Sequence, residues 1–170
     1  ALILIGLELG FRSWVASNDR GIIYDGKRLE ELEGIVPSLN NEKLLTAHPE
    51  ASRAARFIDC IWFKNDRFMP AVIEVEHSTG VTSGLTRMKG FQDIVPPYST
   101  RYVVVADDED RSKVATEANR EQFTSLDTRF FPYSAVEELY GLCQRRKIQG
   151  VNEKFIDTFM EPVTEGTASA

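Results

Sequence analysis

Residues 57–76 have the sequence FIDCIWFKNDRFMPAVIEVE, in which two apolar runs flank a short polar segment. Both runs, 57–63 and 71–76, are rich in β-branched and aromatic residues, a composition typical of β-strands. The polar residues 64–68 between them predict a hairpin loop. The central feature of the chain is therefore predicted to be an antiparallel hairpin that folds near residue 67.

Three carboxylates lie in these two predicted strands. Asp59 is in the first run, and Glu74 and Glu76 close the second. A hairpin folded near residue 67 sets Asp59 opposite Val75, between the two glutamates, and strand alternation puts both glutamates on one face. Buried carboxylates usually have a cation partner or a shifted pKa. We therefore expect a hard-cation site for Mg²⁺ or Mn²⁺ at one end of the hairpin.

Structural roles remain open for the same residues. Isolated acids in strands usually occupy edge or solvent-facing positions, and a Glu-x-Glu pair alone is common. Asp59 could instead be a hairpin residue bonded to a nearby backbone amide or to Arg56. The third acid in register and the sequence that follows favour the metal site over these alternatives.

Three segments carry a family resemblance: 56–62 (RFIDCIW), 71–79 (AVIEVEHST) and 83–88 (SGLTRM). Together they resemble restriction-endonuclease-like domains of the PD-(D/E)xK nuclease superfamily, most closely the branch in which Glu replaces the motif's Lys to give Asp…Glu-x-Glu. The resemblance is strongest over about residues 56–93 and looser over 14–20 and 119–123. No Pro precedes Asp59, and Glu76 stands where the superfamily's usual Lys would be.

The resemblance implies an α/β fold, restriction-endonuclease-like, with a central mixed β-sheet flanked by helices on both faces. It implies that Asp59, Glu74 and Glu76 are catalytic and ligate Mg²⁺, with Mn²⁺ as a substitute. The implied function is a metal-dependent DNA endonuclease that hydrolyses phosphodiester bonds, in restriction or another bacterial defence. DNA is then the partner, and we expect a homodimer, because cutting a duplex with one site per subunit favours two subunits.

The remaining elements are predicted from hydrophobic periodicity and turn residues. Helices are predicted at 1–9, 81–95, 107–126, 135–147 and 152–161, and strands at 12–17, 101–106 and 129–133. Residues 18–56 are predicted to be mostly connection, with a short helix near 28–32. Ser134 and Glu137 form a predicted capping box. Because the chain begins within a predicted helix, we expect residues 1–163 to be a single nuclease-like domain, the C-terminal part of a longer protein, with a flexible tail at 164–170.

Composition limits the function classes. The chain has 170 residues, 42% of them hydrophobic and 27% charged, which is typical of one soluble domain. Cys60 and Cys143 are too few for a disulfide framework, so we expect a cytoplasmic protein. No apolar run approaches the length of a membrane-spanning helix, so we expect no membrane contact. The net charge of −6 argues against a general nucleic-acid coat, but phosphate contacts depend on local basic patches. Candidate patches lie at 12–20, 27–28, 53–56, 87–89 and 145–147.

Further residues could complete a site. Ser78, Thr79 and Ser83 begin the helix after the hairpin, where hydroxyls and free N–H groups can hold a phosphate or simply cap the helix. Arg87, one turn later, could contact a phosphate or pair with an acid. Glu8 could be an extra metal or water ligand, or an exposed helix carboxylate.

Asn18 and Arg20 are predicted to bind substrate as one wall of a DNA-facing cleft, while Trp14 beside them is expected in the core. Two other functions stay open. The chain could be a catalytically silent nuclease-like domain that binds DNA or a protein, or a metal-dependent enzyme that acts on RNA or a nucleotide.

Overall fold

The computed structural model describes residues 1–77, 80–148 and 152–163. Its strands are β1 (Arg12–Val15), β2 (Ile23–Tyr24), β3 (Lys27–Arg28), β4 (Cys60–Lys64), β5 (Phe68–Val75), β6 (Arg101–Ala106), β7 (Arg129–Pro132) and β8 (Glu161–Pro162). Six of them form one mixed sheet in the order β1-β4-β5-β6-β7-β8, and β2 and β3 form a separate ribbon. The predicted α/β fold with a central mixed sheet is confirmed. The predicted tail, 164–170, lies outside the described residues.

Helices cover both faces of the sheet. The α-helices are α1 (Leu2–Glu8), α2 (Pro49–Ala54), α3 (Val81–Gln92), α4 (Arg111–Ala118) and α5 (Tyr133–Arg145). Short 3-10 helices lie at Leu29–Glu31, Leu39–Asn41, Ala55–Phe57, Asp108–Asp110, Glu121–Leu126 and Glu153–Thr158. One hydrophobic cluster joins the sheet to α2, α3 and α4, and a second joins its other face to α1 and α5. None of the described helices is long and apolar enough to cross a membrane.

The central hairpin folds slightly earlier than predicted. Asn65 and Asp66 both have left-handed backbone conformations, with φ of 54° and 52°, as in a two-residue type I′ turn. The first paired residues of the β4–β5 ladder are Cys60 and Ile73. Continued by one residue, this pairing sets Asp59 opposite Glu74 and not opposite Val75. The predicted register was therefore wrong by one residue, although the three acids still reach the same end of the hairpin.

Strand direction explains why this end of the sheet collects polar groups. Strands β5, β6 and β7 run parallel, and β4 runs antiparallel to β5. The start of β4 and the carboxyl ends of β5 and β6 therefore lie together. Ligands of open α/β sheets usually bind at the carboxyl ends of the strands. The three acids of the hairpin lie at this end of the sheet.

Several predicted helices differ from the structure. In place of the single helix predicted at 107–126, the structure has α4 with one 3-10 segment before it and one after it. Ser134 is not a cap, because it lies in the first turn of α5 and its Oγ donates to Asp108 Oδ1 at 2.5 Å. Residues 152–161 form a 3-10 helix and the start of β8, where Pro162 is tolerated because β8 is an edge strand.

Candidate active site

Two buried glutamates stand at the carboxyl end of β5. Val72 lies in the hydrophobic cluster under α3, so strand alternation directs Glu74 and Glu76 to the same side. Glu74 is fully buried and Glu76 is 7% exposed. The Glu76 N–H donates to the Val105 carbonyl at 2.8 Å, so pairing with β6 continues past the end of β5. The central strands thus hold two carboxylates in a largely water-free position.

Arg87 on α3 is the cation partner of both glutamates. Its Nε and Nη2 donate to the two carboxylate oxygens of Glu74 at 2.9 and 2.7 Å. Nη2 also donates to Oε1 of Glu76 at 2.9 Å. Bidentate arginine–carboxylate pairs are among the stronger charge-assisted hydrogen bonds. The Arg87 side chain is 34% exposed, so this guanidinium lies between the buried acids and solvent.

Two glycines allow α3 to approach the Glu76 carboxylate. A Cβ atom at Gly80 or at Gly84 would overlap a carboxylate oxygen of Glu76, and one at Gly84 would also lie 3.1 Å from the Glu74 Cβ. Sequence analysis missed both residues. Their signal was a pair of glycines four positions apart, which places them on one face at the start of a helix. Only small residues there leave room for the acids.

Asp59 precedes β4 and faces the end of β5. Its Oδ2 accepts a hydrogen bond from the Val75 N–H at 2.7 Å, which is the backbone-amide role left open by the sequence. Its charge is also close enough to raise the pKa of both glutamates. Asp59 is therefore a hairpin residue and a neighbour of the buried acids at once.

The three acids interact unfavourably with one another. Burial raises the pKa of the Glu74 carboxyl to about 8; the Arg87 hydrogen bonds oppose that rise, and the Asp59 charge adds to it. Burial likewise raises the pKa of Glu76. The hydrogen bonds to Glu74 raise the pKa of the Arg87 guanidinium still further above its usual range. One guanidinium therefore pairs with two of three neighbouring carboxylates, so the carboxylates outnumber the cations in the cluster.

The donor atoms of the cluster suit a divalent metal ion, whereas its geometry shows the Arg87 guanidinium as the cation. Carboxylate oxygens are the ligands that Mg²⁺ and Mn²⁺ prefer, so the donor set fits a hard divalent ion. Among the described residues, however, no group of three or more His, Cys, Asp or Glu side chains is arranged to hold a metal ion. In this structure Arg87 bridges the two glutamates. A metal ion would have to compete with that guanidinium.

Glu8 does not join this cluster, which corrects the prediction of a fourth ligand. It is exposed on the last turn of α1, and α1 packs on the opposite face of the sheet. On that face burial raises the pKa of the Cys143 thiol on α5, and the Glu8 charge adds to the rise. Ser83 is exposed in the first turn of α3, whereas Ser78 and Thr79 lie outside the described residues.

Of the two residues predicted to form one wall of the cleft, Arg20 is held by contacts within the protein. Arg20 donates from Nη1 to the Val36 carbonyl at 3.1 Å and pairs with Glu30 at 3.4 Å. Its guanidinium also lies 5.0 Å from the ring centre of Trp14, which is buried as expected. Asn18 is exposed in the turn after β1. Substrate binding by Asn18 and Arg20 stays a prediction.

Comparison with known proteins assigns the chain to a protein family. The family model of the type II restriction enzyme NmeDI C-terminal domain matches residues 1–163. The chain belongs to this family. It is also 58% identical over 164 residues to the type II restriction enzyme NmeDI of Neisseria meningitidis serogroup C, an alignment that covers 95% of the chain and 47% of that relative. The chain thus spans about half the length of the curated relative it matches.

The comparison confirms one part of the resemblance that was noted in the sequence. A relationship to a type II restriction enzyme, expected from the Asp…Glu-x-Glu pattern, is confirmed. No solved structure matches the chain. Membership of the PD-(D/E)xK superfamily and a restriction-endonuclease-like fold therefore stay predictions.

The glycine contacts give a first prediction. Gly84→Ala should lower the free energy of unfolding by about 1–3 kcal/mol, because the added methyl group overlaps Glu76 and crowds Glu74. Gly90→Ala is the matched control in the same helix, since Gly90 is exposed and a Cβ there meets nothing within 4 Å. That control should be neutral or more stable by up to about 1 kcal/mol. Urea unfolding measures both, and equal effects would contradict the close approach.

The ion cluster gives a second prediction. Arg87→Met should lower the free energy of unfolding by about 3 kcal/mol at pH 8.5, because it leaves Glu74 buried without its partner. The loss should shrink at pH 5.5, where Glu74 can take up a proton below its raised pKa. The double variant Glu74→Gln/Arg87→Met should recover much of the loss. Urea unfolding at both pH values tests this, and a pH-independent loss would contradict a charged Glu74–Arg87 pair.

Proposed function

We propose that residues 1–163 form the endonuclease domain of a restriction enzyme, a metal-dependent domain that hydrolyses phosphodiester bonds in DNA. One observation carries the proposal. In a chain of the NmeDI C-terminal family, three carboxylates and one arginine meet at the carboxyl ends of the parallel strands. Once Glu74 is ionised, three carboxylates face one guanidinium, and this excess of negative charge favours a further cation, as at a hydrolytic metal site on DNA.

In this proposal Asp59, Glu74 and Glu76 are the catalytic acids. Asp59 and Glu74 would hold Mg²⁺, or Mn²⁺ in its place, and Glu76 would be a further ligand or would orient the attacking water. When bound, the ion lowers the pKa of water and offsets negative charge on the phosphate. Glu76 cannot supply the positive charge of a lysine, so Arg87 is the cation that this chain itself provides.

Arg87 is placed to act in two states. Without metal, its fork binds Glu74 and holds Glu76. The same planar fork matches the oxygens of a phosphate, and the side chain is already one-third exposed. We propose that Arg87 exchanges the glutamates for the scissile phosphate when a divalent ion takes over the acids. Ser83 in the first turn of α3, Ser78 and Thr79 shortly before it in the sequence, and Asn18 and Arg20 would complete the substrate contacts.

One rival function has an observation in its favour. Because Arg87 already bridges Glu74 and Glu76, the domain could be catalytically silent and could bind DNA or a protein through another surface. Calorimetry with Mn²⁺ separates the two functions. The endonuclease requires metal binding that depends on Glu74, whereas the silent domain requires none.

The proposed assembly is a homodimer on duplex DNA. A homodimer would place two active sites on opposite strands, as cleavage of both strands requires. We propose duplex DNA in preference to RNA or a nucleotide because the relative is named a type II restriction enzyme. The cytoplasm is the compartment in which such an enzyme would meet incoming DNA.

The third prediction concerns Glu74. Glu74→Gln should reduce Mg²⁺-dependent plasmid cleavage by at least about 100-fold, because the ion that would offset negative charge in the transition state loses a carboxylate ligand. It should also abolish Mn²⁺ binding in calorimetry. Glu138→Gln, an exposed glutamate on α5, is the control and should behave as the parent chain does. A Glu74→Gln protein that nicks plasmid at the parental rate would remove Glu74 from the site.

The fourth prediction concerns pH. A metal ligand must be deprotonated, and burial raises the pKa of Glu74 to about 8. Mn²⁺ affinity should therefore fall about tenfold for each pH unit below 8, and each bound ion should release a proton. Calorimetry at pH 6, 7 and 8, in buffers that differ in ionisation enthalpy, measures both. An affinity that stays constant across this range would mean that no proton competes with the ion at Glu74.

A further inference from the structure

A second polar groove lies beside the candidate active site. It is about 450 Å³ in volume, and Trp14, Ser17, Asn40, Ser52, Arg53 and Arg56 line it. It is formed where the end of β1 meets α2 and the 3-10 turn after α2. Sequence analysis marked 53–56 as one of several basic patches, without a partner for it.

The charge of this groove differs from that of the chain as a whole. The chain has 26 acidic and 20 basic residues, yet no acidic residue lines the groove. Among the described residues, neither Arg53 nor Arg56 pairs with a carboxylate. Arginines elsewhere, such as Arg12 and Arg101, are ion-paired. The groove is a local positive site on an acidic protein, and such a site attracts anions.

Two buried polar atoms of residues that line the groove have no hydrogen-bond partner among the described residues. They are the indole Nε1 of Trp14, a residue that is 6% exposed, and the Oγ of Ser52. Because both atoms are buried, a ligand in the groove would not touch them. The groups that the groove presents to a ligand are its two exposed arginines. A ligand with negative charge and several acceptor oxygens fits both guanidinium groups.

The groove adjoins the acid cluster through the backbone. The Ser17 N–H donates to the Arg56 carbonyl at 3.0 Å, and the Ala16 N–H donates to the Asp59 carbonyl at 3.2 Å. Trp14 and the buried residues of α2 belong to the same hydrophobic cluster as Val72, so the groove is on the face of the sheet that carries Glu74. A strand whose reacting phosphate lay at Asp59 would continue across the groove.

We propose that this groove binds backbone phosphates of the DNA strand next to the scissile bond. Arg53 and Arg56 would contact the phosphates. This inference rests on the proposed function. Contacts to phosphates position a duplex and carry no sequence information. The groove would therefore contribute affinity for any DNA sequence, with a strong dependence on salt.

The test compares two charge-matched variants. Arg53→Gln/Arg56→Gln removes the groove's cations, and Arg67→Gln/Lys154→Gln removes two exposed cations near the hairpin turn, at the end of β5 that lies away from the acid cluster. Fluorescence anisotropy with a labelled duplex in EDTA, over a range of NaCl, gives affinity without cleavage. The groove variant should bind at least about tenfold more weakly than the parent. Its slope of log affinity against log salt should be smaller by about 1.8, the value for two lost phosphate contacts. The control should keep the parental slope.

The outcomes separate this inference from the proposed function. If the two variants lose affinity equally, or if the parent chain binds no duplex at low salt, the groove is not a phosphate site. Mn²⁺ binding and plasmid cleavage by the same proteins report on the acid cluster. A parent that cleaves while the groove variant binds normally would overturn only the groove. A parent that neither binds Mn²⁺ nor cleaves, but binds DNA through Arg53 and Arg56, would overturn only the nuclease.

Discussion

The fork of Arg87 on Glu74 and Glu76 is the interaction on which the rest of the site depends. Burying two carboxylates at a strand end is unfavourable unless a cation accompanies them. Arg87 supplies it from α3, and the absence of side chains at Gly80 and Gly84 lets α3 come close enough. With Asp59 added, three acids face one guanidinium. The carboxylates outnumber the cation, and this imbalance is the basis on which we propose a divalent ion at the cluster.

The sequence predicted the hairpin and the convergence of its acids, because strand alternation and a polar loop are local patterns. The register was wrong by one residue, since it is set jointly by a turn of two left-handed residues, Asn65 and Asp66, and by a register shift in the ladder between Trp62 and Lys64. Whether Arg87 would bind an acid or a phosphate could not be predicted. That choice depends on the distance between α3 and β5, which no local pattern contains.

Other differences also arise from tertiary packing. Residues 161–162 have no strand signal of their own, yet they pair with β7 at the edge of the sheet. Glu8 lies on an apolar helix, as predicted, but the side of the sheet on which α1 packs separates it from Glu74. The cations on the face that carries Glu74 are likewise visible in the sequence only as scattered arginines. In the part of the chain that the structure describes, some of them are ion-paired, whereas Arg53 and Arg56 of the groove contact no carboxylate. An acidic protein can therefore carry a local positive groove.

The central claim is that the Arg87-bridged acids are a divalent-cation site. A crystal structure of the protein soaked in Mn²⁺, with anomalous diffraction measured at the manganese edge, tests it directly. The account predicts an anomalous peak bonded to carboxylate oxygens of Asp59 and Glu74, with the Arg87 guanidinium moved off Glu74. At saturating Mn²⁺, an unchanged Arg87–Glu74 pair with no peak beside it would contradict the claim.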